Sequence, residues 1–212
     1  MVGPMNPTAD TFRQAVVAAF EATMLVRCTT AGRAPSFAGP SRATAPDPVV
    51  EFSQGPAAQR LAELLREAGV PVRQEMYIAG TRHRYRVHRV TTSAAAFRRL
   101  DEAWHSGYRE LCGRREGGYL SQRQRWHCDR LAAAAWRAAL LAAGRPKTPL
   151  LGVRVGDPDT AAVLMRASRF LDVPVVMRSR PGGPLLTLRD NDEVARMEQA
   201  AGLDEVLTAQ AA

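Results

Sequence analysis

Met24-Leu25-Val26-Arg27-Cys28-Thr29-Thr30-Ala31-Gly32 and Trp136-Arg137-Ala138-Ala139-Leu140-Leu141-Ala142-Ala143-Gly144 are two helix endings of one design, small and apolar residues that finish on glycine. Small side chains let two such helices approach closely, so the pair reads as a central seam along a pseudo-twofold axis. The segments downstream of the two helices repeat as well. Gly69-Val70-Pro71-Val72 matches Asp172-Val173-Pro174-Val175, and at the same offset Leu61 falls on Leu164 and Arg86 on Arg189. Such self-similarity is settled before any other reading of the fold, because it makes the chain two copies of one unit.

Working outward, Phe12, Val16, Ala19, Phe20, Thr23 and Met24 recur at helical spacing and predict a helix from a cap at Asp10 or Thr11 to about Cys28. The Gly-, Pro- and Ser-rich stretch Ala31–Pro48 reads as turn and loop, with a short strand near Ser36–Ala38. Val49–Ser53 is a strand and Gly55-Pro56 opens a helix to about Ala68. Val70–Ile78 and Arg82–Val90 form a hairpin about Ala79-Gly80-Thr81, and Ser93 caps a helix to about His105. Gly107–His127 is a polar, basic connector. The second copy has a helix from about Asp129 to Ala143, a strand Leu150–Val155 and a helix from Asp157-Pro158 to about Leu171. Strands Val173–Ser179 and Leu185–Arg189 then flank Pro181-Gly182-Gly183, Asp190 or Asn191 caps a helix to about Ala201, and the tail after Leu207 frays. The expected class is α+β, a pseudo-symmetric duplication with two mixed or antiparallel sheets and packed helices. Residues 1–106 form the first repeat, 107–127 the connector and 128–212 the second repeat.

The chain has 212 residues, 46% of them apolar, enough for a packed core, and a formal net charge of +8. That charge points to an anionic partner, most often nucleic acid, or else serves solubility. Of 29 basic residues only Lys147 is lysine, a bias that a GC-rich coding sequence also produces. Arginine nevertheless supplies the planar fork that pairs with phosphate and guanine. Three widely spaced cysteines, Cys28, Cys112 and Cys128, argue against a disulfide framework and for a reducing cytoplasm. Neither a signal peptide nor a membrane span is legible.

The chemistry-bearing patterns are few. His105, Cys112, His127 and Cys128 match no zinc-finger spacing, so no metal is expected. No nucleophile set, phosphate-binding loop or dinucleotide fingerprint stands in a fitting context, so no catalytic residue and no cofactor are expected. The most pointed stretch is Arg82-His83-Arg84-Tyr85-Arg86-Val87-His88-Arg89. Strand alternation sets Arg82, Arg84, Arg86 and His88 on one side and His83, Tyr85, Val87 and Arg89 on the other. In the second copy Arg178 and Arg180 share a face with Val176, and Arg189 shares one with Thr187. If helices cover one face of each sheet, the expectation is that Arg84 and Arg86 share an open face with Arg178 and Arg189, where they contact DNA phosphates; a solvated face is the alternative. The connector interleaves Arg109, Arg114, Arg115, Arg123, Arg125 and Arg130 with Tyr108, Tyr119 and Trp126, a pattern that grips single strands by stacking or simply links the halves.

The paired helix endings, each with a helix–sheet unit beside it, resemble the LAGLIDADG homing endonuclease fold. Cys128-Asp129, Ala135-Trp136-Arg137, Leu141-Ala142, Gly144, Leu151–Val155, Asp157-Pro158 and the hairpin Val173–Arg189 are similar to the N-terminal part of the WhiA family of sporulation and cell-division regulators. Val49–Val90 resembles it more loosely. The resemblance implies a bacterial DNA-binding, transcription-regulatory protein. The WhiA family also carries a C-terminal helix-turn-helix, which this chain, ending at Ala212, lacks, so a partner is expected to supply it. Active homing endonucleases place an acid just before each closing glycine to hold a divalent metal. Here those positions are Ala31 and Ala143, and Glu21 and Asp129 lie about three turns away or more. The resemblance therefore implies a non-catalytic member. Its partner is DNA, through the phosphate backbone, or a protein or peptide held in the same saddle; an accessory enzyme with its site in that surface is the third alternative.

Overall fold

The computed structural model describes residues 7–29, 49–113, 119–144 and 151–211. The expectations for Ala31, Gly32, Ser36–Ala38, Arg114, Arg115 and Gly117-Gly118 lie outside the described residues.

The first copy consists of α1 (Pro7–Thr29), β1 (Val49–Phe52), α2 (Gly55–Glu67), β2 (Val72–Ala79), β3 (Tyr85–Thr92) and α3 (Ala94–Cys112). The second consists of α4 (Gln122–Ala143), β4 (Gly152–Arg154), α5 (Pro158–Phe170), β5 (Val176–Arg180), β6 (Gly183–Thr187), α6 (Asn191–Ala201) and α7 (Leu203–Ala211). Both sheets are three-stranded and antiparallel, ordered β1-β3-β2 and β4-β6-β5, so the second repeats the topology of the first.

The central seam is α1 against α4. Ala132, Ala134, Ala135, Ala138 and Ala139 of α4 are wholly buried, as are Phe20, Met24 and Leu25 of α1. Trp136 fills the space under α5 and donates its indole N–H to the Leu164 carbonyl at 3.0 Å, which satisfies the one polar atom of a ring 1% exposed. Glu21 of α1, also 1% exposed, accepts from Arg60 of α2 at 2.7 Å and from Arg137 of α4 at 3.0 Å; Arg137 in turn donates to the Ala201 carbonyl at the end of α6 at 2.6 Å. Burial alone would push this carboxyl up; the two guanidinium partners outweigh it and hold Glu21 below the ordinary 4.5.

Three sequence expectations are corrected. The connector is helix at both ends. α3 continues through Gly107 to Cys112, and α4 begins at Gln122 under a Ser121–Gln124 capping box rather than near Asp129. Gly107, expected as the first residue of the connector, lies within α3 at a close contact, since a Cβ there would stand 2.2 Å from the Phe20 ring. The tail after Leu207 is helical, since α7 runs to Ala211. The constant offset also fails beyond the hairpin. Val50 pairs with Val90 as Val153 pairs with Leu186; 103 residues separate the first partners and 96 the second. The β2–β3 hairpin is thus seven residues longer than β5–β6, and Arg86 does not correspond to Arg189.

Candidate nucleic-acid interface

Each sheet has one face against helices, and the register tells which residues share it, because directly opposed residues of an antiparallel pair point the same way. In the first sheet Val50, Phe52, Val90 and Thr92 are buried on the helix side. His88 is opposed to Phe52 and belongs to that side, with its ring against Gly55 at the start of α2. Arg86, two residues away, is on the same side, exposed where the long hairpin reaches past the helices. The expectation that Arg84 and Arg86 share an open face with Arg178 and Arg189 is therefore corrected for Arg86. Arg82 and Arg84 precede the strand in an exposed bend, and Arg189 lies beyond the end of β6, its backbone N–H bonded to Glu193 at 2.6 Å.

The open face of the first sheet carries Glu51, Arg73, Glu75, Tyr77 and Arg89. Its charges pair among themselves. Arg89 meets Glu51 at 2.7 Å, Arg73 meets Glu75 at 2.6 Å, and Tyr77 donates to Glu51 at 2.7 Å beneath the Arg89 guanidinium. The hydrogen bond to Glu51 pushes the Tyr77 phenol above its ordinary value.

The second sheet buries Val153 and Leu186 and leaves Arg154, Val176, Arg178, Arg180, Leu185 and Thr187 on its open face. Arg178 and Arg180 lie beside Val176, as strand alternation requires. Arg154 was not singled out by sequence. Its signal was the alternation Leu151-Gly152-Val153-Arg154-Val155, which turns it away from two buried valines. Arg154 donates to the Pro181 carbonyl at 2.6 Å, a contact that fixes the guanidinium without neutralising it.

Between the sheets, at the ends of α1 and α4, opens a cleft of about 390 Å³ lined by Cys28, Thr29, Glu51, Ser53, Ala143 and Arg154, among others. Ala143 is in place at the foot of α4. Glu51 is the one carboxylate lining the cleft among the described residues, and Arg89 and Tyr77 already hold it. His105 bonds the Asp101 carbonyl one turn back at 2.8 Å, and among the described residues no three potential metal-ligating side chains gather. The connector aromatics are divided. Tyr108 packs on Trp104 with ring centroids 5.6 Å apart, Arg130 lies over Trp126, and Tyr119 is fully exposed. No described helix is long and apolar enough to cross a membrane.

No protein-family model matches the chain, and no curated protein matches it in sequence. Solved structures do match. The N-terminal LAGLIDADG domain of DUF199/WhiA aligns with a TM-score of 0.53 at 14% identity, covering 95% of this chain and 96% of that one. Full-length DUF199/WhiA from Thermatoga maritima gives 0.53 at 14% identity over 93% of this chain and 65% of that one. A variant of I-DmoI, solved in complex with its target DNA, gives 0.54 at 14% identity over 88% and 97%. At such identity the likeness speaks for architecture, and with the duplicated topology it establishes that this chain has an α+β LAGLIDADG-like fold.

Proposed function

We propose that this chain is a non-catalytic, WhiA-like regulator that binds duplex DNA through the phosphate backbone, with its sheet saddle as the interface. The observation that carries the reading is the open face of the second sheet, where Arg154, Arg178 and Arg180 stand without a carboxylate among them. Forked, always-charged side chains on an open sheet face match the phosphates of a duplex, and structural relatives in this fold were solved on DNA. The non-catalytic part rests on Ala143 at the foot of α4 and on Glu51 being engaged by Arg89 and Tyr77, which leaves the cleft without a spare carboxylate among the described residues. The reading carries a cytoplasmic home and a transcriptional role in sporulation or cell division, with sequence recognition shared with a helix-turn-helix partner.

The test is a titration of the purified chain against a labelled duplex of random sequence at several salt concentrations, beside incubation of plasmid with Mg²⁺ or Mn²⁺. The expected result is binding that weakens steeply with salt and a plasmid left intact. No binding at low salt, where the electrostatic attraction is greatest, overturns the DNA reading; the saddle would then be a protein or peptide surface, which Tyr77, Val176 and Leu185 on the same open faces favour. Cleavage overturns the non-catalytic one.

A further inference from the structure

The two sheets present one row of three equivalent stations, and the row changes sign between them. In the first sheet the row crosses β1-β3-β2 as Glu51, Arg89 and Glu75. In the second it crosses β4-β6-β5 as Arg154, Leu185 and Arg178. The correspondence is fixed by register. Glu51 to Arg154 and Glu75 to Arg178 each span 103 residues, and Arg89 to Leu185 spans 96, the same separations that relate Val50 to Val153 and Val90 to Leu186. One station further along the outer strands, Tyr77 stands where the second sheet has Arg180. The strands of the first open face thus carry two arginines against two glutamates, each arginine already closed on a glutamate at 2.6–2.7 Å. The strands of the second carry three arginines and no acid.

We infer that the phosphate grip is one-sided: the second repeat anchors the duplex backbone, and the open face of the first repeat makes no net electrostatic contribution. This rests on the DNA-binding reading above. A phosphate approaching the first sheet meets guanidinium groups whose charge is taken up by Glu51 and Glu75, with both carboxylates repelling it. A phosphate approaching the second meets Arg154 and Arg178 on either side of Leu185, and no acid on those strands repels it. Pseudo-symmetry of the fold is thereby decoupled from symmetry of the footprint. The chain would hold one half of a site by charge and touch the other by shape.

The experiment compares the salt dependence of binding to a labelled duplex for the intact chain and two variants. R154Q/R178Q/R180Q removes the charge of the second face. E51Q/R73Q/E75Q/R89Q removes both ion pairs of the first while leaving net charge unchanged. Each phosphate neutralised steepens the log–log slope by about 0.9, so the first variant is expected to flatten it by about 2 to 3 and the second by about 0. All positions changed are on sheet surfaces; circular dichroism and melting temperature confirm that each variant is folded. Should the quadruple variant misfold, R73Q/E75Q, which removes the more exposed pair and leaves net charge unchanged, replaces it. The expected change in slope is again about 0, and flattening by about 0.9 overturns the one-sided grip. Equal flattening by the triple and quadruple variants, or a slope the triple variant does not change, overturns the one-sided grip while duplex binding stands. Failure of the intact chain to bind at low salt overturns both together.

Discussion

Replacing Glu21 by glutamine should destabilise this protein far more than the loss of an exposed charge. The carboxylate is 1% exposed and accepts three described hydrogen bonds of 2.7–3.3 Å from Arg60 and Arg137, besides a shorter one from Arg137. Those guanidinium groups are themselves only 19% and 16% exposed. Removing one partner from such a cluster leaves buried charge uncompensated, at a cost of about 3–5 kcal/mol. For a chain of this size that corresponds to a melting temperature lower by roughly 6–20 °C. The comparison is Glu63→Gln, which loosens a pair with the same Arg60 at 3.9 Å and with 31% exposure of the carboxylate side, worth at most about 1 kcal/mol. Urea and thermal unfolding of both variants provide the measurement. The pH dependence gives a second readout. Because the folded pKa of Glu21 is depressed, its contribution is fully present above the unfolded value near 4.5 and is lost as pH falls through the lower folded value. The acid limb of the stability curve should therefore be shallower in Glu21→Gln. If Glu21→Gln costs no more than Glu63→Gln, or leaves the acid limb unchanged, the account of the cluster is wrong.

Packing sets two further outcomes. Gly107→Ala should cost about 1–3 kcal/mol by urea denaturation, since its Cβ would fall 2.2 Å from the Phe20 ring and α3 would have to move off α1. Cys28, buried and with its thiol pushed up to about 12 by desolvation and then by the nearby Asp157 carboxylate, should resist a thiol reagent at pH 8 in the folded protein and react promptly in denaturant.

Much of this architecture is legible in the sequence because it is local. The closing glycine Gly144, the caps at Ser93, Asp157 and Asp190, and the alternation of Val176, Arg178 and Arg180 depend on neighbours within a turn or a strand. The features that the sequence conceals depend on length and distance. A seven-residue difference between hairpins is invisible to an offset measured before them, and that difference moves Arg86 away from Arg189. Alternation divides the basic hairpin into two sides but does not say which of them the helices cover. The side with more arginines reads as the solvated one, whereas its His88 is opposed to buried Phe52. Gly107 falls in the expected connector because the reason for its missing side chain is a ring 87 residues earlier. The partnership of Glu21 with Arg137 spans 116 residues and has no periodic signature. The contrast between the two open faces needs register, since the acids that neutralise the first face come from β1 and β2 while Arg89 comes from β3.

The clasp at Glu21 also bears on descent. A fused pair of repeats is most simply derived from two identical halves that once associated as separate chains. Glu21 stands eleven residues before Gly32, and the residue eleven before Gly144 is Ala133. A homodimer rebuilt from two second halves would set Arg137 against that alanine, with no carboxylate to receive it. Each half thus supplies a partner that the other lacks, so two copies of a single half would not rebuild the clasp.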